Sequence, residues 1–274
     1  MMRIGFVQTK PVFGHVEGNV ERAVKMIRRC DADLIVLPEL FNTGYLFTSK
    51  EEVRDLSETV PKGRTTEALR AVAAERNVHI VAGLIERYRR KCYNAAVLVS
   101  PGGSVETYRK IHLFHEEKLW FDPGDRPFAV YDIGSCRVGI MICFDWFFPE
   151  SMRILALKGA DVVAHCANLV MPFCQDAMIT RCLENRLYAV TANRVGSEKR
   201  GGKFCLYTGR SQITGPQANL LYRAGAGEEE IGTASIDVSA VRDKRLNAHN
   251  VLLDDRRIEF YSDLTVPGVR VGDA

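Results

Sequence analysis

A carboxylate at Glu39, an amine at Lys110 and a thiol at Cys143 each stand at the end of a run of residues that reads as a β-strand. Glu39 follows Leu34–Leu37 (LIVL) through Pro38, Lys110 ends Val105–Lys110, and Cys143 follows Arg137–Ile142. In open α/β sheets ligands gather outside the carboxyl ends of the strands, so three unrelated segments carry reactive groups to one kind of address. Their chemistry suits a single task. A thiol becomes a strong nucleophile only as thiolate, and a nearby base or cation makes that form accessible. Glu39 could take the thiol proton and later activate water. Lys110 could meet the negative charge that develops on the attacked substrate atom, with the backbone N–H of Phe144 as a second donor. Each residue taken alone has a plainer use: Cys143 as a small buried hydrophobe, Glu39 as a capping or solvated acid, Lys110 as a surface charge.

The elements that must hold these groups alternate between strand and helix. Arg3–Thr9 alternates apolar and polar as a half-buried strand does, and Asn19–Arg29 spaces Val20, Ala23, Val24 and Ile27 as a helix with Asn19 at its N-cap. With LIVL following as a doubly buried strand, this is a βαβ opening with parallel strands. Thr65–Arg76 reads as a helix, Val78–Ile85 and Tyr93–Val99 as strands, and Pro101-Gly102-Gly103 as the turn into Val105–Lys110. Ile111–Pro127 is a long ordered loop rich in aromatics. Phe128–Ile133 and Arg137–Ile142 form a hairpin around Gly134-Ser135, Pro149 opens a helix through Leu157, and Asp161–His165, Phe173–Arg186 and Ala189–Val195 continue as strand, helix and strand. Gly201-Gly202 separates a last block in which Ser211–Thr214, Leu220–Arg223 and Ile231–Asp237 are strands and Ser239 caps a short helix. No linker or repeat interrupts the pattern, so one domain over 1–274 is expected, with 254–274 as a C-terminal tail.

Composition removes several function classes. The formal charge is +3 over 274 residues, with both signs interspersed, which argues against nucleic acid or an acidic membrane as the main partner. The one basic stretch, Arg87–Lys91, lies between two strand-like runs and reads as a solvated turn. The chain opens directly on a strand-like segment without a signal-peptide pattern, and no apolar run approaches the ~20 residues that cross a bilayer. A soluble, cytoplasmic protein is expected, and its eight cysteines as free thiols. No C-x-x-C pair occurs and His112 with His115 lacks a partnering pair, so no metal site is expected.

In order along the chain come Leu37-Pro38-Glu39 with Phe41 and Gly44-Tyr45, then Tyr108-Arg109-Lys110-Ile111-His112-Leu113-Phe114, then Glu117 with Phe121 and Pro123-Gly124-Asp125. Gly139-Ile140-Met141-Ile142-Cys143-Phe144-Asp145 follows with Phe148-Pro149-Glu150, and then Glu184-Asn185-Arg186, Asn193-Arg194-Val195-Gly196 and Gly209-Arg210-Ser211. In this series the chain resembles the nitrilase, or carbon–nitrogen hydrolase, family over almost its whole length. The resemblance implies an α/β fold, a four-layer α-β-β-α sandwich, which the strand and helix pattern alone would not have produced. It implies Glu39 as base, Lys110 as oxyanion-stabilising amine, Cys143 as nucleophile and a second acid in the loop after the lysine, matched best by Glu117, with Glu116 its neighbour. It also implies a homodimer or larger homo-oligomer, with the tail 254–274 at the interface, and gives no cofactor and no metal a task.

The implied reaction cleaves a non-peptide carbon–nitrogen bond of a small amide through a Cys143 thioester, releasing ammonia and a carboxylic acid. Trp120, Trp146 and Phe147 are expected to line a small, fairly apolar pocket. Phe144-Asp145-Trp146-Phe147 lacks the basic residues that carbamoylase branches often carry after the nucleophile, which favours small neutral amides. Aliphatic nitriles come next, then N-carbamoyl amides, and last a catalytically silent interaction scaffold. Lys110→Ala is expected to cost turnover and little stability.

Overall fold

The structure, a computed structural model, describes residues 1–268. Strand β1 (Met2–Gln8), helix α1 (Val16–Arg29) and strand β2 (Leu34–Val36) form the opening βαβ unit, with β1 and β2 parallel. Helices α2 (Lys50–Asp55) and α3 (Arg64–Arg76) lead to the meander β3 (His79–Tyr88), β4 (Lys91–Val99) and β5 (Val105–Arg109). The short helix α4 (Glu117–Trp120) lies inside the long loop. A hairpin of β6 (Val130–Asp132) and β7 (Arg137–Ile142) follows, then a 3-10 turn over Cys143–Phe147 and helix α5 (Pro149–Leu157). Strand β8 (Val162–Cys166), helix α6 (Cys174–Asn185) and strand β9 (Tyr188–Ala192) complete a parallel run, β7, β8 and β9. The ribbon of β10 (Ser197–Arg200) and β11 (Lys203–Leu206) is succeeded by β12 (Gln212–Thr214), β13 (Leu220–Arg223), β14 (Glu230–Ile236) and α7 (Ser239–Arg242).

The strands form two six-stranded sheets, ordered β14-β1-β2-β3-β4-β5 and β13-β12-β9-β8-β7-β6. The period of two along each strand decides what lies between the layers. Leu34 and Val36 of β2, Ile4 and Phe6 of β1 and Ala96 and Leu98 of β4 share one core with Val138, Ile140 and Ile142 of β7 and Val162 and Ala164 of β8. The alternate residues Ile35, Leu37, Val7, Val97 and Val99 pack instead with Val20, Ala23 and Ile27 of α1 and Leu69, Val72 and Ala73 of α3. Met152 and Leu155 of α5 and Met178 and Cys182 of α6 cover the second sheet. The layers therefore run helix, sheet, sheet, helix, the four-layer sandwich expected from the resemblance.

Two local expectations give way to the structure. Helix α1 begins at Val16, so Asn19 is not its cap; the Asn19 side chain is buried and bonds the backbone of Val12 and Asn42, tying two loops together. Gly201-Gly202 is not a separator but the turn of the β10–β11 ribbon. Both glycines have positive φ, +55° and +76°, as the tight hairpin turns require. The polar SEKR segment gives no strand signal because only Glu198 points inward.

The described residues form two compact units, 1–242 and 243–268, the sandwich being the first. The second holds the Arg245–Val251 bridge and 3-10 turns at Ile258–Phe260 and Ser262–Thr265. The expected tail falls within it, and its residues 269–274 lie outside the described residues. No helix among the described residues is long and apolar enough to cross a membrane.

Candidate active site

Strand direction explains how three distant segments meet. Strand β2 is parallel to β3, and β4 reverses twice to return the chain along β5 in the direction of β2. Glu39 and Lys110 therefore leave the same edge of the first sheet, while Cys143 leaves the end of β7 in the second. Cys143 lies within the electrostatic reach of Glu39, Lys110 and Glu117, and all four side chains are buried.

Glu39 is held by the backbone around it. The segment Pro38-Glu39-Leu40 crosses β3 at Gly83, where an added Cβ would stand 2.5 Å from the Glu39 Cα; only glycine permits this approach. Oε1 of Glu39 accepts from Asn94 Nδ2 at 2.7 Å and from Lys110 Nζ at 2.7 Å, while Oε2 has no hydrogen-bond partner among the described residues. Burial raises the Glu39 pKa from 4.5 to about 7, against the opposing pull of Lys110.

Lys110 follows Arg109, whose guanidinium bonds Glu86 at 2.7 Å and Asp125 at 2.8 Å and lies over the rings of Tyr88 and Tyr93. That network pins the end of β5, and the next side chain turns into the site. Its Nζ donates to Glu39 and, at 2.8 Å, to Oε1 of Glu117. Burial alone would lower the lysine pKa, but the Glu117 and Glu39 carboxylates outweigh it and hold the ammonium protonated. Glu117 also accepts from the Tyr45 hydroxyl at 2.6 Å and from the Phe114 N–H at 3.3 Å. Its neighbour Glu116 turns outward to Lys203 at 2.5 Å. Of the two acids weighed for the site, Glu117 is the one beside Lys110.

Cys143 has φ +40°, a left-handed conformation that strains any residue but glycine and lifts the side chain out of the strand direction. Its S–H faces the Asn168 carbonyl at 3.8 Å, and its own carbonyl meets His165 Nε2 at 3.0 Å. Burial, followed by the negative charge of Glu39, pushes the thiol pKa well up, with Lys110 opposing. The Cys143 side chain therefore rests as a thiol, and its ionisation needs a base. Phe144 is the second residue of the 3-10 turn, where first-turn amides have no acceptor within the helix.

A buried carboxylate joins the two sides of the site. Asp145 accepts from the Tyr108 hydroxyl at 2.8 Å, the Ile142 N–H at 2.9 Å, and His112 through its backbone N–H at 3.3 Å and ring Nδ1 at 2.8 Å. Tyr108 and His112 flank Lys110, and Ile142 precedes Cys143. In Asp145→Asn an amide NH2 would face two of these donors. The expected result is a loss of about 2–4 kcal/mol in stability, with a fall in turnover, measured by denaturant unfolding beside kcat. Unchanged stability and turnover would remove this role for Asp145.

A cleft of about 20 Å³ lined by Cys143, Phe144, Trp146, Asn168 and Val170 adjoins a cavity of about 220 Å³, with Phe114 and Val170 in both walls. Tyr45, Phe47, Glu117, Trp120, Phe121 and Phe204 also line the larger space. Trp120 lines the larger space and Trp146 the cleft, whereas Phe147, expected beside them, is 51% exposed and lines neither. A 3-10 turn has three residues per turn, so Trp146 shares the face of Cys143, while the Phe147 ring lies tilted against Phe144 with centroids 5.5 Å apart. A larger hollow of about 430 Å³ near Gly14, His15 and Arg64 holds none of these groups.

Tyr45, Asn94, His165 and Asn168 were not among the site residues expected from sequence. Tyr45 stood inside one of the matching segments. Asn94 and His165 carry a usable signal, a lone polar residue in an otherwise apolar strand interior (YNAAVLV and VVAHC), which demands a buried partner.

A family model described as carbon–nitrogen hydrolase matches residues 3–246. A nitrilase from Pyrococcus abyssi is 50% identical over 264 residues, covering 95% of this chain and 99% of its own. An (R)-stereoselective amidase from Pseudomonas sp. is 33% identical, over 89% and 92% of the two chains. A carbon–nitrogen hydrolase from Helicobacter pylori has a similar structure, with TM-score 0.89, 26% identity and coverage of 98% and 99%. An amidase from Nesterenkonia sp., with acrylamide added to its active-site cysteine, has TM-score 0.80, 25% identity and coverage of 96% and 100%.

Proposed function

The chain belongs to the carbon–nitrogen hydrolase family, and from that premise we propose that it hydrolyses small neutral amides with Cys143 as nucleophile and Glu39 as base. The observation that carries the reading is the buried cluster in which Lys110 bridges Glu39 and Glu117 within reach of the Cys143 thiol. The Cys143 proton passes to Oε2 of Glu39 as sulfur bonds to the carbonyl carbon. The carbonyl π pair moves onto oxygen, met by Lys110 Nζ and the Phe144 N–H. On collapse Glu39 returns the proton to nitrogen, the C–N bond breaks and ammonia leaves. Glu39 then deprotonates water, which attacks the thioester. The C–S bond breaks, the acid departs and the thiol is restored. Glu117, with Tyr45, holds Lys110 in place throughout.

The substrate reading follows from the cavity beside Glu117. Its walls are largely aromatic and aliphatic, and its Lys203 is engaged by Glu116. At ~30 Å³ for a water-sized group, about 220 Å³ takes a short uncharged acyl chain. Nitrile hydrolysis through a thioimidate is a second reading, favoured by the 50% identity to a protein called a nitrilase. Intact-mass measurement during incubation with short amides, nitriles and ureido compounds, alongside ammonia release, tests both. An acyl adduct on Cys143 with matching ammonia supports the reading and identifies the class. No adduct and no ammonia with any compound sinks it.

The pH profile provides a second check. Glu39 can accept the thiol proton only when ionised, and burial sets its pKa at about 7. Below that value kcat/KM is expected to fall tenfold per pH unit, an acid limb near 7 rather than near 4.5. A profile flat down to pH 5 would exclude Glu39 as the base.

The assembly is read as a cytoplasmic homodimer or larger homo-oligomer. Exposed Ile154 and Leu157 on α5 and Leu183 on α6 support pairing through that helical face. A monomer in sedimentation at micromolar concentration would count against it.

A further inference from the structure

Strand β8 (VVAHC) carries one polar side chain in its interior, His165, and the ring is fully buried. Its Nε2 lies 3.0 Å from the carbonyl oxygen of Cys143 and its Nδ1 lies 3.2 Å from the Thr191 hydroxyl on β9. A carbonyl oxygen only accepts, so Nε2 must carry the proton. In a neutral ring Nδ1 then accepts from Thr191, and one tautomer is selected. Burial keeps the ring neutral, lowering its pKa to about 4. The parallel register sets Met141 beside His165, so the imidazole reaches past the end of β7 to the first residue beyond it.

The oxygen of Cys143 and the N–H of Phe144 belong to one planar peptide unit. A hydrogen bond that fixes the oxygen therefore fixes the direction of the N–H on the opposite side of that unit. This unit sits next to a strained residue, Cys143 at φ +40°, so neighbouring packing must define its orientation. Donation into the carbonyl also polarises the amide and strengthens its N–H as a donor. We propose that His165 is a positioning residue that, through the Cys143 carbonyl, aims and strengthens the Phe144 N–H toward the oxyanion. The inference rests on the reading of Phe144 as an oxyanion donor given above.

The test compares wild type with His165→Leu, which keeps bulk and loses the donor, and with His165→Gln, whose amide nitrogen can stand near the Nε2 position. Two rates are read at Cys143. In amide turnover negative charge builds on the substrate oxygen. In methylthiolation by methyl methanethiosulfonate the thiolate attacks sulfur, an S–S bond forms and methanesulfinate leaves, so no oxyanion arises. His165→Leu is expected to lower kcat about 10–100-fold, less than full loss of an oxyanion donor, with KM changed by about twofold at most. Methylthiolation of Cys143, followed by peptide mass, stays within about threefold of wild type, because thiolate reactivity toward sulfur does not use the oxyanion donor. His165→Gln recovers most of the lost turnover. Thr191→Val, which removes the donor to Nδ1, lowers kcat several-fold. Equal falls in both rates, an undiminished kcat in His165→Leu, or a Gln variant no better than Leu overturns the proposal. Should the Leu variant fail to fold, an unchanged kcat in Thr191→Val overturns it. A wild type that methylthiolates at Cys143 but turns over no amide or nitrile sinks the hydrolase reading, and this inference with it.

Discussion

Cys143→Ala is expected to abolish turnover, by about a hundred-thousand-fold or more, and to leave the fold and its melting temperature nearly unchanged. The two halves of this expectation have separate causes. Turnover fails because Glu39 and Lys110 are committed to each other, and Cys205, the other cysteine lining these spaces, belongs to the larger cavity and not to the cleft at Phe144. Stability survives because the change removes one buried sulfur atom, worth about 1 kcal/mol of burial. Alanine at φ +40° is strained about as much as cysteine, so the backbone strain at this position cancels between the two proteins. Ammonia release and intact mass with the preferred substrate, beside thermal unfolding, check both halves. Residual turnover above about one part in a thousand would mean that another group is the nucleophile.

Lys110→Met has the second-largest expected effect, and it reaches beyond catalysis. The side chain keeps its length and loses its charge. Turnover is expected to fall about a thousand-fold, because a donor to the developing oxyanion disappears. The expectation from sequence for Lys110→Ala is little loss of stability. In the structure the ammonium is buried between Glu39 and Glu117, with both Nζ···O distances below 2.9 Å. Removing one partner from such a cluster costs about 3–5 kcal/mol, since two carboxylates are left buried without a counter-charge. The loss has a sign in pH. Glu39 already has its pKa raised from 4.5 to about 7 in the folded protein, and without Lys110 it moves further up. A raised carboxyl keeps its proton in the native state after the unfolded chain has released it. Its favourable contribution is full below pH 4.5 and is lost as pH rises through the folded value. The variant should therefore be much weaker than wild type at pH 8 and less so at pH 5, measured by denaturant unfolding at both. A loss equal at the two values, or none, would show that the cluster is not held together by this charge.

The order of strands and helices, and the three groups at their ends, are determined by the sequence itself. Periodicity, caps and turn residues are local properties. LIVL buried on both faces, Pro149 at the first turn of α5 and the hairpin at Gly134-Ser135 each follow from neighbours a few residues away. The chemistry of a thiol, a carboxylate and an amine also belongs to the residues, whatever surrounds them.

Tertiary structure alone decided which polar groups have partners and how deeply they are buried. That Glu117 rather than Glu116 faces Lys110 depends on the turn of α4, and that Phe147 faces outward depends on three residues per turn after Cys143. That Asn94 meets Glu39, 55 residues away, and His165 meets the Cys143 carbonyl depends on distant strands brought side by side only when each sheet forms. The pKa of Glu39, the protonated state of the resting thiol and the cost of losing Lys110 follow from that burial. A side chain's type limits what it can donate or accept. The free energy of its charge is set by solvent exclusion and by neighbours distant in the chain, and no local pattern encodes these.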